Sequence, residues 1–168
     1  MRAYKPKRLG VYAGSFDPLT VGHLWMIEQG VLLFDCLVVA IGTNLEKRYT
    51  FTLDERMAML HDSLKSFRNV SLVSFSDRYL IDFAQSLGAT HVLRGIRSES
   101  DYEYERTMRY INGDLDGHIC TVFLMPPRDI AEVSSSMVKN LVGPKGWRKV
   151  VRKYVPDAVY KRLLNPGA

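Results

Sequence analysis

Five short apolar runs punctuate the chain, at residues 9–13, 36–41, 70–75, 90–93 and 119–125. Stretches with apolar positions three and four apart separate them. Short continuous apolar runs suit strands covered on both faces, and the intervening spacing suits helices packed on those faces. After the first run, Leu24, Ile27, Val31 and Phe34 recur at helical steps. Thr20 reads as the N-cap of that helix, which makes His23 its third residue. Thr52-Leu53-Asp54-Glu55 is a capping box opening a helix to about residue 66, with Leu53, Met57, Leu60 and Leu64 inward. A third helix is predicted from Asp77, carrying Leu80, Phe83, Ala84 and Leu87 and closed by Gly88. Ser100-Asp101-Tyr102-Glu103 reads as a second capping box, for a helix to about Asn112. Ser134, Ser135 and Ser136 precede a short helix that Gly143 ends. One or two helices fill residues 147–164, with Pro156 at the start of the last.

This alternation predicts an α/β fold, Rossmann-like, with a mainly parallel five-stranded sheet, helices on both faces and a C-terminal helical tail. The 168 residues fit a single domain, in which residues 145–168 form a basic helical appendage. In such sheets ligands bind beyond the carboxyl ends of the strands, where strand order reverses. Residues following each strand are therefore read together.

Composition changes this picture little. At 46% hydrophobic and 24% charged, the chain has globular proportions, and no run approaches the ~18 apolar residues of a membrane span. Residues 1–7 show no apolar leader, so a cytoplasmic protein is expected. Cys36 and Cys120 fit no metal spacing and read as two reduced, buried thiols rather than a disulfide. The net charge of +5 is concentrated at one end. From Lys145 onward seven Lys/Arg face one Asp, leaving the other 144 residues at −1. The basicity therefore says little about what a central site would bind.

The strand ends carry the chemistry. Gly14-Ser15-Phe16-Asp17-Pro18-Leu19-Thr20-Val21-Gly22-His23 places a hydroxyl, a proline turn and an imidazole at a helix start. Gly22 allows close approach to backbone that offers unpaired N–H groups to an anion. Lys47 follows the second strand, Arg94-Gly95-Ile96-Arg97 the fourth, and the three serines with Lys139 the fifth. Taken singly, each has a plain structural reading: a helix cap for the serines, pairing of Arg94 and Arg97 with acids of the next helix, a core position for Phe16. Together on one sheet edge they suit a polyphosphate. Walker, dinucleotide, zinc and nucleophile-elbow patterns are absent from the sequence. Nucleotidyl transfer fits what remains, because an attacking phosphate is already anionic and needs positioning and charge neutralisation rather than a base. A helix-start position should also hold His23 neutral by lowering its pKa.

The segment from Gly14 to His23 resembles the (T/H)xGH signature of the nucleotidyltransferase superfamily. Joined to Arg94-Gly95-Ile96-Arg97, Asp101-Tyr102-Glu103-Tyr104-Glu105 and Val133-Ser134-Ser135-Ser136-Met137-Val138-Lys139, it resembles the bacterial phosphopantetheine adenylyltransferase family over residues 9–139. The resemblance implies adenylyl transfer from ATP to 4′-phosphopantetheine, giving dephospho-coenzyme A and pyrophosphate, with Mg²⁺ as cofactor and a hexamer of Rossmann-like subunits. It implies His23 as the catalytic residue that also touches ATP phosphate. Ser15, Phe16, Gly95, Ile96, Arg97, Glu105, Ile130, Ala131, Glu132, Val133, Ser134, Ser135 and Ser136 match ATP-binding positions. Ser15, Lys47, Tyr79, Leu80 and Arg94 match positions on the phosphopantetheine side. The resemblance assigns no metal-ligating side chain.

Two other readings fit less of the chain. A sister enzyme would use another acceptor: a nicotinamide mononucleotide adenylyltransferase, or a cytidylyltransferase acting on a phospho-alcohol. A non-catalytic nucleotide- or nucleic-acid-binding protein would use the basic stretch 145–153 with Trp147 and Tyr154; a solvated or oligomer-facing helix explains that stretch more simply.

Overall fold

The computed structural model describes residues 7–44, 46–115 and 117–165. Twelve elements follow one another: β1 (Leu9–Gly14), α1 (Val21–Leu33), β2 (Cys36–Thr43), α2 (Leu53–Leu64), β3 (Val70–Ser76), α3 (Leu80–Ser86), β4 (His91–Gly95), α4 (Glu99–Leu115), β5 (Cys120–Leu124), α5 (Ser135–Leu141), α6 (Trp147–Val151) and α7 (Asp157–Leu164). The strands form one sheet in the order β3-β2-β1-β4-β5, and all four pairings are parallel. The order reverses between β1 and β4, which opens a crevice at their carboxyl ends.

Period-two alternation divides the core. Tyr12, Leu37, Val39, Ile41 and Leu93 face α1, α2 and the C-terminal helices, whereas Val11, Ala13, Val38, Ala40 and Val92 pack with Ile81, Phe83 and Ala84 of α3. α4 lies against α3. Among the described residues no helix is long and apolar enough to cross a membrane. Residues 1–6, on which most of the leader reading rests, lie outside the described residues.

Local chemistry explains the element starts. Thr20 caps α1, its hydroxyl accepting from the His23 N–H at 3.4 Å while its own N–H donates to His23 Nδ1 at 3.1 Å. This is a capping box with histidine in the usual Glu/Gln position. The Thr52–Glu55 box holds α2 as expected, with Thr52 N–H donating to Glu55 Oε2 at 2.7 Å.

Several boundaries differ from the sequence reading. Asp77 takes a left-handed φ of 56°, so α3 starts three residues later, at Leu80, and Leu87 is turned outward. Ser98, not Ser100, caps α4, accepting from the Asp101 N–H at 3.2 Å, and that helix runs on to Leu115. β4 extends to Gly95, so Arg94 is a strand residue. Cys120 is exposed and Cys36 half-buried, which corrects the expectation of two buried thiols. They sit on β2 and β5, with β1 and β4 between them, about 14 Å at the usual strand spacing, too far for a disulfide.

The basic C-terminal segment is built into the core. Val151, Val155 and Val159 are buried, Tyr154 accepts from the Val21 N–H at 2.9 Å through its carbonyl, and Arg162 pairs with Glu55 of α2. Trp147 and Tyr154, the aromatics of the nucleic-acid reading, pack against the main core cluster.

Candidate active site

Two adjoining cavities occupy the crevice. The first, about 380 Å³, is lined by Gly14 and Gly22, by His23, by Arg94, Gly95 and Arg97 from the end of β4, and by Ile130, Val133 and the three serines. The second, about 390 Å³, is lined by Ser15, by Thr43 at the end of β2 and Asn44, Lys47 and Tyr49 after it, by Tyr79 and Leu80 before and at the start of α3, and by Met108 and Asn112. Ala13, Gly14, Arg94, Tyr104 and Glu105 line both. The residues that the sequence assigns to the nucleotide thus gather mainly in the first cavity. Those assigned to the acceptor gather in the second, with Arg94 in the shared wall.

His23 is poised by its own helix start. Because Nδ1 accepts the Thr20 N–H, with Thr20 Oγ1 2.9 Å from the same nitrogen, the neutral ring carries its proton on Nε2. Burial, with the Arg97 guanidinium adding to it, pushes the His23 pKa down to about 4. The ring is therefore neutral at physiological pH, and burial rather than the helix dipole is the principal cause.

Phe16 supports this histidine from behind. It takes a φ of 47°, unusual for a residue with a side chain, and its fully buried ring meets the His23 ring edge-on at 5.2 Å. Phe16 lines neither cavity; its side chain is a buried wedge in the main core. Ile96, Ala131 and Glu132 likewise line neither cavity, and Ile96 is buried with its N–H bonded to the Leu124 carbonyl at 2.9 Å.

The cations are partly committed. Arg94 grips Glu105 with Nε and Nη2, Nε lying 2.9 Å from each carboxylate oxygen, and its Nη1 donates to the Ala13 carbonyl at 3.3 Å. This fork welds α4 to the ends of β1 and β4. Arg97 binds Asp101 through Nε at 2.9 Å, yet its side chain stays 41% exposed beside the first cavity. Pairing with the next helix, the plain reading of these arginines, therefore holds alongside their place in the crevice. Lys47 is exposed, and Ser15 borders the same cavity.

The serines divide their work. Ser134 caps α5, accepting from the Met137 N–H at 3.1 Å, while Ser135 donates its hydroxyl to the Pro18 carbonyl at 2.8 Å. All three still border the first cavity. Gly22 lets that loop close in, since a Cβ there would stand 3.3 Å from the Val133 carbonyl oxygen.

Sequence reasoning missed three groups. Asp17 is buried and accepts from the Thr50 and Phe51 N–H groups and from Lys139. Arg56 is 2% exposed, donates to the Ser15 carbonyl at 2.9 Å and stacks 4.1 Å from the Tyr49 ring centre. Tyr104, Met108 and Asn112 form the wall of the second cavity contributed by α4. Only the last group left a signal, the four-residue spacing of one helix face.

A family profile described as cytidylyltransferase-like matches residues 11–141. A phosphopantetheine adenylyltransferase from Neisseria meningitidis is 59% identical over 157 residues, covering 94% of this chain and 92% of that protein. One from Chromobacterium violaceum is 56% identical over 155 residues, 92% of this chain and 94% of that protein. Among solved structures, a Plasmodium falciparum nicotinic acid mononucleotide adenylyltransferase superposes with a TM-score of 0.70 at 14% identity, covering 94% and 95% of the two chains, which is a likeness of fold. The parallel sheet carries its paired cavities at the switch point of a doubly wound α/β fold. The chain belongs to the cytidylyltransferase-like nucleotidyltransferases and, within them, to the phosphopantetheine adenylyltransferase family.

Proposed function

We propose that this protein transfers the adenylyl group of ATP to 4′-phosphopantetheine, forming dephospho-coenzyme A and pyrophosphate. The observation that carries the reading is the shared wall: two cavities of similar volume meet at Gly14, Arg94 and Glu105, so a phosphate in one can face a triphosphate in the other. Relatives bearing that name align over more than nine-tenths of the chain.

ATP occupies the cavity of His23 and the serines, and the acceptor lies along Lys47, Tyr79 and Leu80. A phosphate oxygen of the acceptor attacks the α-phosphorus, the bond to the bridging oxygen breaks, and pyrophosphate leaves. Nε2–H of His23 donates to the oxygens on which charge develops. Lys47 and Arg97 neutralise the reacting phosphates, and the tethered cavities hold the pair in line.

Asp101 and Glu105, the carboxylates of the first cavity, are held by Arg97 and Arg94, and no group of three potential metal ligands occurs among the described residues. On this reading Mg²⁺ comes as the counter-ion of the triphosphate, bound with the nucleotide substrate. A cytoplasmic homo-oligomer, a hexamer by the family resemblance, completes the reading. The exposed apolar residues Tyr110, Ile111 and Leu115 on α4 favour association.

The test is a screen of pyrophosphate release with ATP or CTP against 4′-phosphopantetheine, nicotinamide mononucleotide and phosphocholine. Turnover is expected with ATP and 4′-phosphopantetheine. Turnover only with CTP, or only with nicotinamide mononucleotide, overturns the assignment.

A further inference from the structure

Asp17 lies inside the Gly14–His23 segment but lines neither cavity. It is 3% exposed, and both carboxylate oxygens are fully engaged. Oδ1 accepts from the Phe51 N–H at 2.9 Å and the Thr50 N–H at 3.1 Å; Oδ2 accepts from the Thr50 N–H at 3.0 Å and from Lys139 Nζ at 3.1 Å. Burial raises the pKa of this carboxyl, and the two N–H groups with Lys139 outweigh it, holding Asp17 below the usual carboxylate range and ionised.

What these partners belong to gives the arrangement its meaning. Thr50 and Phe51 end the loop that places Lys47 and Tyr49 in the second cavity. Lys139 lies on α5, whose start brings Ser135 and Ser136 to the first. A second bond runs in parallel, from the Ser135 hydroxyl to the Pro18 carbonyl. One buried carboxylate thus joins the acceptor-side loop to the nucleotide-side helix. An apolar side chain in place of Asp17 would leave the Phe51 N–H buried without its acceptor, so the carboxylate holds the end of this loop as well as Lys139.

Resting on the adenylyl-transfer reading, we propose that Asp17 is a positioning residue that sets the spacing between the two substrate compartments. Each cavity retains its own lining without it. What is lost is their register, and a displacement of about 1 Å between reacting groups costs on the order of 100-fold in rate.

The test compares Asp17→Asn, Lys139→Met and Lys139→Arg with the full-length wild type. For Asp17→Asn, kcat per folded molecule should fall by about 30-fold or more, while the Kd of ATP and of 4′-phosphopantetheine, each measured alone by calorimetry, should move less than about threefold. Lys139→Met should show the same split more mildly, and Lys139→Arg should recover most of kcat. Independently of turnover, hydrogen exchange in Asp17→Asn should quicken together at Thr50, Phe51 and α5, with β1 and β2 unchanged. A kcat that falls only with the folded fraction, or exchange that leaves α5 untouched, overturns the proposal. Should Asp17→Asn not fold, Lys139→Met decides: normal kcat in that variant overturns it. A wild type inactive toward 4′-phosphopantetheine would instead refute the adenylyl-transfer reading, and the exchange result would still decide whether Asp17 couples loop to helix.

Discussion

At the scale of single residues, His23 concentrates the chemistry because three independent contacts agree on its state. Thr20 fixes the tautomer, Phe16 fixes the ring, and burial keeps it uncharged. His23→Ala should lower kcat by about 100-fold or more, as loss of a donor to developing charge does, with ATP binding little changed and a modest fall in melting temperature from the lost capping box. Steady-state kinetics and calorimetry check this together. The pH behaviour follows from sign. A folded-state pKa of about 4, below the ordinary 6.5, makes the neutral ring's contribution to stability complete above pH 6.5 and lost as pH falls toward 4. Chemical denaturation between pH 7 and 4 should show that loss, and His23→Gln should flatten it. An NMR titration of the ring with a midpoint near 6.5 would contradict this account. Lys47 stands exposed in the second cavity alone. Lys47→Ala should raise KM for 4′-phosphopantetheine about tenfold, the worth of one charge-assisted phosphate contact, and leave KM for ATP near its original value.

At the scale of elements, much of the helix pattern was legible because caps are local chemistry. The Thr20 cap and the Thr52 box involve groups three residues apart, and both form as the sequence indicates. Thr52→Ala should cost about 1 kcal/mol and lower the melting temperature by about 2–4 °C, readable by calorimetry, without altering either KM. The elements read less well are those whose starts depend on neighbours. Asp77 in a left-handed turn delays α3, and Ser98 wins the cap of α4 from Ser100. Either serine satisfies the local rule, so packing decides.

At the scale of the whole molecule, the C-terminal helices are not an appendage to the sheet. α7 lies against α2, Arg162 reaches Glu55, and three valines of the segment enter the main core. The concentrated positive charge therefore lies on the outer side of helices whose apolar face is already occupied. If, as proposed, the ion arrives with the nucleotide, chelation of Mg²⁺ with EDTA should stop turnover while leaving the melting temperature of the ligand-free protein unchanged. A fall in that melting temperature would mean that the chain itself holds the metal.

The sequence alone determined the strand–helix alternation, the parallel sheet, the Thr20 cap, the Thr52 capping box and the gathering of Ser15, His23, Lys47, Arg94, Arg97 and the serines at strand ends. Each of these is written in periods of two or three to four residues, or in the residue types that follow a strand. Only the tertiary structure separated those residues into two cavities with a common wall. It also placed Phe16, Ile96, Ala131 and Glu132 beside the cavities rather than in their walls. It alone revealed the buried Asp17 and Arg56, because folding brings groups from distant parts of the chain to hold them. Those partners lie 33 and 34 residues away for Asp17 at Thr50 and Phe51, 122 at Lys139, and 41 for Arg56 at Ser15. No local pattern carries that information; the fold does.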